Sequence, residues 1–203
     1  MYKKPIIVFE GIECSGKSHH IKNVSNYLKK KKIKFIKIRE PGGSQNSEII
    51  RKLILNKKSN FDKMTDLLMY MASRNENFHH ILLKNYKKKI ILIDRFIDST
   101  IAYQHYGMGV NLKIIKYINN FILRNIKVNF TFLNTVNKKN LILRLKKRKN
   151  LNRYDKFNYN FYSKVQNGFL KLSKNKKKYL IINSNLPISQ NKKIIINKLK
   201  KLI

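Results

Sequence analysis

Apolar residues along this 203-residue chain follow two periods, and the two alternate. Short runs rich in Ile, Leu, Val and Phe occupy 5–10, 34–38, 90–94, 128–133 and 179–182. Runs of this length and composition read as strands covered on both faces. Between them apolar positions recur at helical spacing: Ile21, Val24 and Leu28 after the first run, then Leu67, Leu68, Met71, Phe78, Ile81 and Leu82 within 62–83. Helices are expected over 46–55, 99–106, 112–124, 138–148, 157–173 and 187–202 as well. Strand alternating with helix predicts an α/β fold with right-handed crossovers. The expected architecture has three layers, a five-stranded parallel sheet flanked by helices, in a single domain spanning 1–203. One stretch follows neither period. Residues 147–156 hold Lys, Arg and Asn with too few apolar side chains to pack, which predicts a mobile flap.

The first strand runs directly into Gly11-Ile12-Glu13-Cys14-Ser15-Gly16-Lys17-Ser18, which fits G-x-x-x-x-G-K-[ST], the phosphate-binding loop. The glycines let backbone N–H groups close around phosphate oxygens. Lys17 supplies a cation for β- and γ-phosphates, Ser18 offers a hydroxyl to Mg²⁺, and the following helix turns its positive end to the anion. A buried-type strand before the motif and an amphipathic helix after it are the context such a loop requires. The implied ligand is a nucleoside triphosphate with Mg²⁺.

Composition narrows the classes further. A hydrophobic fraction of 42% argues against disorder, and no apolar run reaches the ~18 residues of a membrane span. No apolar segment of the secretory type precedes the first strand. Cys14 is the single cysteine, which suits a reducing cytoplasm. The charge is extreme: 46 Lys and Arg against 10 Asp and Glu, net +36. A basic ATPase working on nucleic acid is one reading of that balance. Compositional drift toward Lys, Asn and Ile is the other. The lysines lie in short runs mostly at element ends, no basic stripe interleaved with aromatics emerges, and Arg is scarce, so drift is favoured.

Four clusters carry further chemistry. Asp94-Arg95 closes the third strand, where a carboxylate can reach Mg²⁺ and an arginine a second phosphate. Arg39-Glu40-Pro41-Gly42-Gly43 breaks regular structure, with Arg51 one helix later. Tyr70 and Arg74 lie one helical turn apart and can face one ligand; taken alone they also read as a core aromatic and a surface cation. Arg144, Arg148 and Arg153 belong to the flap region, which alone reads as a solvated loop.

Together these segments resemble the thymidylate kinases over essentially the whole chain. The most specific parts are DRFIDSTIAYQ at 94–104, REPGG at 39–43 and LLMYMASR at 67–74, with NRYDKFNYNFYSKVQNGFLKL matching the family's flap and following helix. The resemblance implies ATP + dTMP → ADP + dTDP with Mg²⁺, usually in a homodimer, with related nucleoside-monophosphate kinases as the alternative. It implies that residues 11–18 hold ATP, with Lys17, Arg95, Arg148, Arg153 and Glu13 acting in catalysis and Ser18 and Asp94 at the metal. Tyr70 would stack on thymine, while Arg74 and Gln104, helped by Ser99 and Thr100, would hydrogen-bond it. Tyr103 would crowd the 2′ position, Arg51 and Arg95 would hold the dTMP phosphate, and Glu40 would lie beside it near the metal. Cys14 after Glu13, where eukaryotic members tend to carry Arg, is similar to the bacterial arrangement with its cations on the flap. His19, His105, Met108, Tyr70 and Asn183 depart from the residues usual in the family.

Overall fold

The computed structural model describes residues 4–124, 126–149 and 151–203. Of the expected domain and flap, residues 1–3, 125 and 150 lie outside the described residues. Five strands, β1 (Ile6–Glu10), β2 (Phe35–Arg39), β3 (Ile90–Asp94), β4 (Phe130–Thr135) and β5 (Tyr179–Asn183), form one parallel sheet in the order β2-β3-β1-β4-β5. Because side chains alternate across a strand, β1 feeds two cores at once. Ile6 and Val8 join Ile91, Ile93 and Ile38 on one face, while Ile7 and Phe9 join Leu92, Phe130 and Phe132 on the other. This is why the strands read as continuous apolar runs.

Helices cover both faces. α1 (Lys17–Lys30) and α9 (Ile188–Leu202) close the second core with Ile21, Val24, Leu28, Ile195 and Leu199. α3 (Lys63–Asn77) and α6 (Leu112–Leu123) cover the first, with α2 (Gln45–Leu55) against α3. The expected helix at 62–83 is interrupted. After α3 the chain passes through a π-helical turn, Phe78–Leu82, into the short α4 (Leu83–Asn85). The stretch expected over 99–106 likewise begins as α5 (Ile97–Thr100) and continues as a π-helical segment, Ile101–Gly107. Apolar spacing cannot separate the two helix types over so few turns. α7 (Lys138–Lys146) and α8 (Tyr159–Leu172) complete the layers.

A third core lies beneath the strand ends, formed by Ile12, Tyr103, Tyr154, Tyr162, Val165 and Phe169. Here α8 and the π-helical segment approach so closely that two glycines are required. A Cβ on Gly107 would meet Phe161 at 2.7 Å, and one on Gly168 would meet Tyr106 at 2.5 Å, with Tyr106 Cβ itself only 2.9 Å away. Gly168→Ala therefore overpacks this contact. It should cost about 1–3 kcal/mol and lower Tm by about 2–4 °C for each kcal/mol, measured by calorimetry.

Candidate active site

β1 ends at Glu10 and delivers the phosphate loop. Gly11 takes φ +135°, and a Cβ there would lie 2.2 Å from the Asn134 carbonyl oxygen, so only glycine fits against β4. Gly16, also left-handed, precedes α1 and offers its first turn no side-chain cap, which leaves the helix's N–H groups to an anion. Lys17 folds back over the loop: Nζ donates to the carbonyls of Gly11 at 2.9 Å and Ile12 at 2.8 Å. Burial, reinforced by nearby Arg95, pulls its pKa down to about 8. Arg144 clamps the loop's far side, donating to Cys14 O at 3.0 Å and Ser184 O at 2.6 Å.

The end of β3 faces this loop because Asp94 pairs in register with Phe9 of β1. Ser18 Oγ donates to Asp94 Oδ2 at 3.1 Å. Arg95 turns left-handed, with φ 66°. Its guanidinium donates to Gly11 O at 2.8 Å and Glu13 Oε1 at 3.0 Å, and its face lies over the Tyr103 ring. The Tyr103 hydroxyl donates to the other Glu13 oxygen. Burial above all raises that phenol's pKa well above its ordinary value and keeps it a donor. Beneath, the Glu10 carboxylate accepts from the backbone N–H of Phe96 at 2.8 Å and Ser99 at 3.2 Å, and from Ser99 Oγ at 2.5 Å. Burial, with Asp98 close by, pushes the Glu10 carboxyl up to about 7.

The loop after β2 builds the other half. Glu40, expected beside the dTMP phosphate near the metal, lines the cavity and accepts from Arg74 Nε at 2.8 Å. Arg74 is 1% exposed and no surface cation. Its Nη1 donates to Asn119 Oδ1 at 2.5 Å and its Nη2 to Thr100 Oγ1 at 3.0 Å. Arg51 Nη1 donates to Pro41 O at 2.5 Å. Gln104 Nε2 donates to Asp66 Oδ2 at 3.0 Å.

The flap differs from its expectation. Residues 153–156 form a 3₁₀ turn in which Tyr154, 2% exposed, packs edge-on against both Tyr70 and Tyr103. One aromatic ring suffices, because the pocket it enters is itself aromatic. Arg148 pairs with Asp155 at 2.6 Å and lines the cavity. Arg153, expected as a catalytic cation, pairs with Asp66 and lies outside the cavity lining. Gly11 and Ile12 also fall outside the lining and contribute through their carbonyls.

One cavity of about 530 Å³ gathers the remaining expected residues: Glu13 to Ser18, Glu40, Arg51, Tyr70, Arg74, Asp94, Arg95, Ser99, Thr100, Tyr103, Gln104 and Arg148. Four supporting residues were not foreseen: Asp66, Asn119, Tyr154 and Asp155. Asp66 leaves a signal, four residues before Tyr70 and so on the same helical face; Asn119 and Tyr154 act across long sequence separations. Among the described residues no three His, Cys, Asp or Glu side chains cluster as a metal cage. The Ser18 and Asp94 oxygens, already hydrogen-bonded to each other, suit Mg²⁺, which keeps water and phosphate as most of its ligands.

Comparison with known proteins agrees with this geometry. The thymidylate kinase family profile matches residues 9–195. A thymidylate kinase from a Sulfurihydrogenibium species is 36% identical over 198 residues, covering 96% of each chain. That of Thermosipho africanus is 38% identical over 177 residues, covering 87% of this chain and 88% of its own. The crystal structure of thymidylate kinase from Ehrlichia chaffeensis superposes with a TM-score of 0.79 at 29% identity, over 98% of this chain and 99% of that one. With the family profile spanning nearly the whole chain and relatives this similar over most of its length, the chain belongs to the thymidylate kinase family.

Proposed function

We propose that this cavity carries phosphoryl transfer from ATP on the loop of residues 11–18 to dTMP held by Tyr70, Arg74 and Gln104. As a thymidylate kinase the chain converts dTMP to dTDP. The observation that carries the assignment of roles is the position of Arg95. Its guanidinium bonds the phosphate loop at Gly11 and Glu13 while lying over Tyr103, so it can hold the group transferred between the two nucleotides. Phosphoryl transfer has a loose transition state, and the protein's work is in-line positioning and spreading charge over cations. The dTMP phosphate is itself the nucleophile. Lys17, Arg95, Arg51 and Arg148 rest on carbonyls or carboxylates. Phosphate oxygens, being charged, are stronger acceptors than the carbonyls they replace. Ser18 and Asp94 would hold Mg²⁺, which when bound adds a divalent charge at the β- and γ-phosphates. The acceptor side reads the base. Arg74 has five N–H donors, and oxygen atoms of Glu40, Asn119 and Thr100 take three, leaving capacity for a base carbonyl. Tyr103 supplies bulk at the sugar and Tyr70 a ring for the base. The Tyr154 ring against both covers the pocket and excludes water, a competing phosphoryl acceptor.

The enzyme is proposed to act as a cytoplasmic homodimer of one-domain chains. No helix among the described residues is long and apolar enough to cross a membrane. α6 presents Tyr117 and Phe121, 74% and 75% exposed, next to α3 and α2 with exposed Leu68, Ile49 and Leu53. A second copy of the same face would cover them. Phe121→Glu should turn the dimer into a monomer by sedimentation velocity, and a parent that is already monomeric refutes the dimer.

The assignment of function is tested by a coupled assay. dTMP should be preferred over dCMP and dGMP in kcat/KM, with dUMP weaker by the worth of one buried methyl, roughly 1 kcal/mol. Equal kcat/KM on dTMP and CMP would transfer the chain to a broader nucleotide specificity.

Lys17 gives the pH dependence. Its proton leaves the nucleotide-free enzyme as pH rises through about 8, and the neutral amine cannot hold phosphate charge. kcat/KM for ATP should fall above that pH, while kcat at saturation stays level further into alkali, because bound phosphates stabilise the ammonium. Lys17→Ala should lower kcat about 10³-fold and abolish that inflection.

A further inference from the structure

Asp66 belongs to no part of the reaction as described, yet it is one of the most heavily engaged side chains near the cavity. It is 1% exposed in the first turn of α3. Its carboxylate receives donors from two distant segments. From the π-helical segment after β3 comes Gln104 Nε2, 3.0 Å from Oδ2. From the flap come the Tyr154 hydroxyl, 2.7 Å from the same oxygen, and the guanidinium of Arg153 on Oδ1.

A carboxylate is an acceptor only, whereas a glutamine amide has one donor end and one acceptor end. Beside Asp66 the amide of Gln104 has a single favourable orientation, with its NH₂ toward the carboxylate. The other end, Oε1, is shielded from solvent and has no donor among the described residues. A buried carbonyl without a donor carries a desolvation cost that a ligand N–H removes. Gln104 lines the cavity at the acceptor side, as does Tyr154.

We propose that Asp66 is a specificity-positioning residue: by fixing the Gln104 amide with its carbonyl free, it makes the pocket demand a ring N–H donor, and by holding Tyr154 and Arg153 it docks the flap on the same anchor. Thymine and uracil carry N3–H and satisfy the carbonyl. Cytosine presents a bare N3 lone pair there and leaves two acceptors facing each other. The pyrimidine class is therefore chosen at Asp66, one residue removed from the base, whereas the methyl group is sensed elsewhere. The inference rests on the reading of this pocket as the dTMP site.

The test compares kcat/KM for dTMP, dUMP and dCMP in the parent and in Asp66→Asn. The variant's own NH₂ can donate to Gln104 Oε1, which turns the amide and offers the base a donor instead. The dTMP:dCMP ratio should fall at least about tenfold, as expected when a hydrogen-bonding site loses its match. The dTMP:dUMP ratio should hold within about twofold, since both bases carry N3–H. In the Gln104→Ala background Asp66→Asn should leave the dTMP:dCMP ratio unchanged. A general structural defect would lower all three substrates together, so proportional losses overturn the proposal, as does a full effect without Gln104. If Asp66→Asn does not fold, Asp66→Ala frees the amide to rotate and should also reduce the dTMP:dCMP ratio, and an unchanged ratio overturns the proposal. A parent without dTMP activity would reject the functional reading itself, and that outcome is separate from a parent that is active and variants that keep their selectivity.

Discussion

Everything in the site hangs on the register that brings three parallel strand ends to one level. Phe9 of β1 and Arg39 of β2 both stand opposite Asp94 of β3, and the backbone bonds continue past the strands. Arg95 N–H reaches Phe9 O at 3.0 Å, and Glu40 N–H reaches Asp94 O at 2.9 Å. Three loops therefore leave the sheet from fixed points: the phosphate loop, the 40–43 turn and the Arg95 segment. Ligands of open α/β sheets bind outside the carboxyl ends of the strands for this reason. A slip of one residue would exchange the two cores and carry Asp94 away from Ser18.

Within that frame the dominant problem is like charge. Lys17, Arg51, Arg95, Arg144 and Arg148 converge on one cavity. Each is held by an oxygen: loop carbonyls for Lys17, Arg95 and Arg144, the Pro41 carbonyl for Arg51, and carboxylates for Arg95 and Arg148. Glu13 is central, accepting from Arg95 and Tyr103 at once. The cations are thus prepositioned close to where phosphate charge must go, which is how electrostatic preorganisation lowers a barrier.

The strands were legible because burial on both faces leaves an apolar run that polar neighbours cannot imitate, as in Ile90 to Ile93. The phosphate loop was legible because glycine, lysine and serine at fixed spacing have few other uses. What stayed hidden depends on partners remote in sequence. The π-helical segment at Ile101–Gly107 brings Tyr106 close against Gly168, and no periodicity records that. The charges of the flap suggest solvent, while Tyr154 packs against Tyr70 and Tyr103 and Arg153 pairs with Asp66. Arg153 and Asp66 show the same limit: charge type is visible in each, but their pairing spans 87 residues.

Arg74 shows why such pairings are kept. Burying an arginine and a glutamate costs several kcal/mol of desolvation that their attraction only partly offsets, and apolar residues of similar size would often be at least as stable. Here the pair joins β2's loop to α3, while Asn119 brings in α6 and Thr100 brings in α5. Four elements are fixed to one planar group that also lines the cavity. A lysine could not replace it, because a mobile ammonium has no fork to hold three partners in a plane. Stability is given up for orientation, and orientation is what a reaction between two nucleotides requires, since the phosphoryl group moves in line or not at all. The buried polar network is thus part of the catalytic apparatus even where it touches neither phosphate.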